Sequence, residues 1–156
     1  MRINSRRCRT FKYKVTTPTS CAVDLDPSAV GRNELFFDCL VVTVDVERGD
    51  VALGAKATHV IRRIVAESAA AYVVIRGSAQ LVSPAEQFDD LTSWDMLSQL
   101  ADVLDVLTLL AERLEEYGER VHLVPFGWKY RAQLDPLEPE RDEDDIHLAL
   151  RLAPSQ

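Results

Sequence analysis

The stretch Arg120 to Leu134, RVHLVPFGWKYRAQL, constrains the fold more than any other part of the chain. Two β-patterned runs meet there at Pro125-Phe126-Gly127, directly behind a long amphipathic segment. Proline fixes φ and donates no hydrogen bond, whereas glycine accepts backbone angles and close approaches that other residues cannot. The three residues therefore predict a corner between strands, of the kind at which a backbone can meet a ligand. Read on the residues alone, it is a strand-to-strand turn. Beyond it, Trp128, Tyr130, Ala132 and Leu134 fall on one side of a strand and Lys129, Arg131 and Gln133 on the other.

The segment leading into the corner is the clearest helix. Thr92 or Ser93 caps it, and Trp94, Leu97, Leu100, Ala101, Leu104, Leu107, Ala111 and Leu114 follow along one face. Gly118 ends it. Such a helix is on the order of 37 Å long, enough to cross a domain. Its acids, among them Asp102, Asp105, Glu112 and Glu115, make a solvated face. A second helix is expected over Val51 to Ala70, capped by Asp50, with Leu53, Ala57, Val60, Ile61 and Ile64 at helical spacing. His59 lies off that stripe and reads as a surface residue.

Strands fill the rest. Phe11, Tyr13 and Val15 alternate with Lys12, Lys14 and Thr16, and Ile3 and Ser5 suggest a partner strand before them. Glu34 to Glu47, ELFFDCLVVTVDVE, is β-branched and apolar enough for a central strand. Tyr72 to Ile75 forms a short buried strand running into the small-residue loop Gly77 to Pro84. Ile146, Leu148, Leu150 and Leu152 alternate as a closing strand, and His122 and His147 read as ordinary strand-face residues. Residues 17–33, with Pro18, Pro27 and Gly31, and residues 135–145, with seven acids and two prolines, read as long mobile loops. The expected architecture is α/β of the α+β type: one domain over residues 1–156, with a curved, mostly antiparallel sheet and two main helices on one face.

Bulk properties narrow the function. The net charge of −7 argues against general affinity for nucleic acid, which needs clustered Lys and Arg on the binding face. The charge is uneven, however: Arg2, Arg6, Arg7, Arg9, Lys12 and Lys14 are six cations with no acid in the first fourteen residues. Cys8, Cys21 and Cys39 are widely spaced and odd in number and form no CxxC or Cys/His cluster, which predicts reduced thiols in a cytoplasmic protein. No apolar run reaches the length of a membrane span.

The order of elements and several local words resemble the N-terminal editing domain of archaeal-type threonyl-tRNA synthetases, whose fold is shared with D-aminoacyl-tRNA deacylases. The words are the opening MRI and FKYKV, VVTVDVE, AYVVIRGSAQLVS, and above all VPFGW behind a long helix that ends at glycine. The resemblance spans nearly the whole chain. It implies a deacylase-like fold, a homodimer, and metal-free hydrolysis of serine misattached to threonine tRNA, by water positioned against the ester carbonyl. With 156 residues there is no room for a synthetase catalytic domain, so the implied protein acts in trans on the aminoacyl-tRNA 3′ end, alone or with a threonyl-tRNA synthetase.

Carried over residue by residue, the resemblance assigns Lys129, Gln80 and Glu138 to catalysis and Ser83, Phe126, Gly127, Trp128 and Tyr130 to substrate binding. The basic first strand, through Arg7, Arg9 and Lys12, is assigned to tRNA contact. Four chemistry-bearing words depart from the family. Gln80 and Val82 replace a histidine and a serine, and Tyr130 stands where the family has lysine. Arg7-Cys8-Arg9 replaces histidine-serine-aspartate, and Asp135-Pro136-Leu137-Glu138 only echoes a histidine-proline-leucine-alanine-glutamate word. An amide cannot exchange a proton near neutral pH as imidazole does. The alternative is thus a catalytically degenerate relative serving as a small-ligand or protein-binding module, and a third reading recruits Arg7, His122 or His147 to another substrate.

Overall fold

A computed structural model of the chain describes residues 1–79, 93–138 and 145–149, the side chains of 93–95 and 145 excepted. Its elements are β1 (Arg2–Pro18), β2 (Asn33–Val46), α1 (Gly54–Ser68), β3 (Tyr72–Ala79), α2 (Ser93–Glu116), β4 (Val121–Leu123), β5 (Trp128–Pro136) and β6 (Asp145–His147). The strands form one sheet in the order β4-β3-β2-β1-β5, with β6 also on β1. β1 runs antiparallel to β2, β5 and β6, whereas β2–β3 and β3–β4 are parallel. The α+β class is as expected, and β2 is the central strand its apolar density predicts.

Alternation along the strands feeds two cores. Ile3, Leu40, Val42, Val44, Val73 and Ile75 face α1 and α2, where they meet Ile61, Val103, Leu107 and Leu110. Cys39, Val41 and Val74 point the other way and join Phe11, Tyr13 and Val15, with Trp128, Tyr130 and Leu134 packed against them. The helices thus cover only one end of one face, a placement the second core makes possible.

β1 is a single strand of 17 residues, not the pair expected from Ile3 and Ser5. Its register against β5 shifts between Cys8 and Thr10, and across from Arg9 the backbone of Asp38 takes φ +52°. This irregularity moves the odd-numbered residues from the helix side at Ile3 to the opposite side at Phe11, as a bulge does. The break in alternation is what made one strand read as two.

The sheet is strongly curved, with the second core on its concave side. Tyr13 on β1 and His122 on β4 are separated by two strands, yet their rings lie 5.7 Å apart. The corner leads to the same conclusion. β4 and β5 occupy opposite edges of the strand order, four spacings or roughly 19 Å apart in a flat sheet. Five residue steps from Leu123 to Trp128 span at most about 18 Å. Only a curved sheet lets so short a connection close.

The helices differ from expectation in detail. Asp50 does not cap an α-helix: it starts a 3-10 turn, Asp50–Leu53, and Gly54 opens α1 after it. The Asp50 carboxylate instead accepts from Glu47 N at 2.7 Å and pairs with the Met1 amino group at 2.9 Å. In α2, which is 24 residues and about 36 Å long, the buried stripe is Val103, Val106, Leu107, Leu110 and Leu114. Leu97, assigned to the apolar face, is 58% exposed. The closing strand is described over Asp145–His147, and Leu150 and Leu152 lie outside the described residues.

Candidate nucleic-acid interface

The corner is clamped by the segment after β1. Gly127 has φ +83°, and a Cβ built there would stand 2.6 Å from Ala22 Cα and against the Cys21 carbonyl. Thr19 N donates to Gly127 O at 2.9 Å, Val23 N to Phe126 O at 3.0 Å, and Trp128 Nε1 to Val23 O at 2.7 Å. Residues 19–23 thus complete the corner. An apolar cavity of about 250 Å³ lies beside it, lined by Val23, Leu25, Leu104, Leu107, Pro125 and Phe126 among others. Among the described residues its lining offers no ionisable side chain, so what they supply is room for an apolar group.

The described carried-over residues lie in different parts of the fold. Phe126 packs into the helix-side core, Trp128 and Tyr130 against the concave core, and Lys129 is exposed on the outer side of β5. Glu138 lies beyond the far end of β5. Seven strand steps separate Lys129 from Pro136, the last residue of β5, roughly 23 Å at about 3.3 Å per residue, and Glu138 follows two residues later. Within one chain Lys129 and Glu138 therefore stand towards opposite ends of β5. Gln80 and Ser83 lie outside the described residues.

The tRNA assignments divide in the same way. Arg7 is not a free surface cation. It forms an ion pair with Asp38, and its Nε donates to the Ser68 carbonyl at 3.1 Å, which ties the β1 bulge to the end of α1. Arg9 is exposed and lies 3.7 Å from Asp135. Of the three, Lys12 alone is exposed and without an ion pair among the described residues.

Lys12 does not stand alone. Past the bulge, the even-numbered residues of β1 face outward, where neither helix covers the sheet. Lys12 is level with Leu35 and Gln133, Lys14 with Asn33 and Arg131, and Thr10 with Phe37. Lys129 continues the row on β5. Lys12, Lys14, Asn33, Arg131 and Gln133 line a cleft of about 160 Å³. Among the described residues none of the four cations forms an ion pair, and Phe37 and Leu35 stand 62% and 49% exposed beside them. Unpaired cations next to an exposed aromatic can meet phosphates and stack a base. Lys14 belongs to the basic first strand already expected, whereas Phe37 and Arg131 were not expected at the site because only strand pairing sets them beside it; the alternation on β5 was the available signal.

His122 is more than an ordinary strand-face residue. Its Nε2 is 2.6 Å from the Tyr13 hydroxyl, and its ring is 4.6 Å from that of Phe36. Burial holds the imidazole below its usual pKa, opposed by nearby Glu34. Burial, reinforced by Glu34, pushes the Tyr13 phenol up to about 12. With the phenol protonated and the imidazole neutral, the two share one hydrogen bond whose direction follows the imidazole tautomer. The pair clasps β1 to β4 across the concavity and is a structural contact of the curved sheet. The described residues contain no cluster of His, Cys, Asp and Glu able to hold a metal and no helix long and apolar enough to cross a membrane. Cys8, Cys21 and Cys39 are free thiols. In comparisons with known proteins, the chain matches no family model and no curated protein sequence.

Proposed function

We propose that the protein acts on the aminoacylated 3′ end of tRNA, holding the RNA on the uncovered basic face of β2, β1 and β5. The observation that carries this reading is the grouping of Lys12, Lys14 and Arg131 around one cleft, with Lys129 further along the same side of β5 and Phe37 exposed on β2. In a chain of net charge −7 such a grouping is local, and screening over about 8 Å at physiological salt lets it work despite the acidic remainder. The resemblance of VPFGW and its neighbouring words to editing domains supplies the substrate class, hydrolysis of a mischarged seryl ester in trans. It also supplies the expected company of a threonyl-tRNA synthetase and a second copy of the chain, and the free thiols suit a cytoplasmic setting.

A second reading, binding without hydrolysis, is favoured by the distance between Lys129 and Glu138. The test is a paired experiment on threonine tRNA charged with serine, measuring binding and serine release at high protein concentration. Binding with release above the uncatalysed rate supports the deacylase, and binding without release supports the module. Absence of binding refutes action on tRNA and leaves only a module for a small ligand or a protein.

A further inference from the structure

The concave face carries two arginines that the described groups do not fully satisfy. Arg6 on β1 lies level with Val41, and Arg76 on β3 lies level with Thr43, two positions along the same central strand and on the same side of it. From strand spacings their Cα atoms are about 12 Å apart in a flat sheet, and closer on a concave one. Both Nε atoms are buried and have no hydrogen-bond partner among the described residues. Arg76 donates from one terminal nitrogen to Thr43 Oγ1 at 3.1 Å and stands 5.6 Å from the Phe11 ring. Both guanidinium groups are near enough to Cys8 to favour its thiolate against the effect of burial. Asp135 also acts on Cys8, but it is matched by Arg9. Asp45 accepts from Ser78 Oγ.

A buried donor left unsatisfied costs about 1–3 kcal/mol, and more when charged. Two such guanidinium groups converging on one concavity are an arrangement that an anion would relieve. The geometry points to a phosphate-binding site on the concave face, formed by Arg6 and Arg76, with the Thr43 hydroxyl hydrogen free to donate because its oxygen already accepts from Arg76. The number of donors selects the ligand class. One planar guanidinium fork fills both oxygens of a carboxylate, whereas two forks match the several oxygens of a phosphate. The site lies on the opposite side of the sheet from the outer basic cleft and is independent of it.

Isothermal titration of the full chain with inorganic phosphate at low salt tests the assignment, with acetate at equal ionic strength as the carboxylate arm. The wild type is expected to bind phosphate, and Arg6→Met and Arg76→Met are each expected to weaken binding at least tenfold. Arg63→Met, on the exposed side of α1, is expected to leave it unchanged. If circular dichroism shows either methionine variant to be unfolded, Arg6→Lys and Arg76→Lys take its place. They keep the charge but lose the fork, and a several-fold loss is expected. Absence of phosphate binding by the wild type, acetate binding of equal strength, or full retention in the arginine variants would overturn the site.

Discussion

Replacing Gly127 by alanine isolates what the corner contributes. At φ +83° an L-residue in the left-handed region is disfavoured by roughly 1–2 kcal/mol. The new methyl group would also meet the backbone of Cys21 and Ala22, which cannot swing aside as a side-chain tip does. Residues 19–23 must therefore lift away. That movement loses the hydrogen bonds from Thr19 N, Val23 N and Trp128 Nε1, each contributing about 0.5–1.5 kcal/mol. The combined destabilisation is on the order of 3–5 kcal/mol. Gly118 is the internal control, since it has φ +89° but nothing within 4 Å of the position a Cβ would take. Gly118→Ala should lose only the conformational part, about 1–2 kcal/mol. Urea denaturation of both variants measures the difference. Equal losses, or a neutral Gly127→Ala, would refute the claim that close backbone packing fixes the corner.

Other contacts of the curved sheet can be tested in the same way. Trp128→Phe keeps an aromatic ring against the concave core but removes the donor to Val23 O, so the urea midpoint should fall by the equivalent of about 1 kcal/mol; an unchanged midpoint contradicts the clamp. Because burial lowers the folded-state pKa of His122, the unfolded chain binds more protons as pH falls below its own value of about 6.5. The His122 contribution is therefore fully present above about pH 6.5 and is lost as pH falls through the lower folded value. His122→Asn should flatten that part of the stability profile. For Tyr13, raised to about 12, the contribution is full below about pH 10 and is lost as pH rises towards the folded value. Tyr13→Phe should remove this alkaline dependence, and a profile identical to wild type would contradict it.

Local pattern revealed the central strand, the long helix and the alternation of β5, because each rests on periodicity within one segment. It could not show that β4 and β5 lie on opposite edges, since periodicity does not specify partners. The same limit hid the Tyr13–His122 contact, which joins residues 109 positions apart, and the pairing of Lys14 with Arg131. In α2 apolar residues on several sides let a stripe starting at Trp94 look as good as the buried one through Val103 and Leu110. Arg7 looked like a surface cation because its partners, Asp38 and the Ser68 carbonyl, become neighbours only through the bulge. The corner itself was legible from Pro125 and Gly127, although the segment that clamps it was not.

The proposed function depends most directly on whether the outer basic face holds RNA. The decisive measurement is the affinity of the chain for the acceptor end of threonine tRNA at several salt concentrations, for the wild type and for the triple variant Lys12→Gln, Lys14→Gln, Arg131→Gln. Each phosphate contact to single-stranded nucleic acid contributes about 0.7 to the slope of log K against log salt. The triple variant is predicted to bind much more weakly, with a slope shallower by about 2. Equal affinity and equal slope in the two proteins would contradict RNA binding on this face.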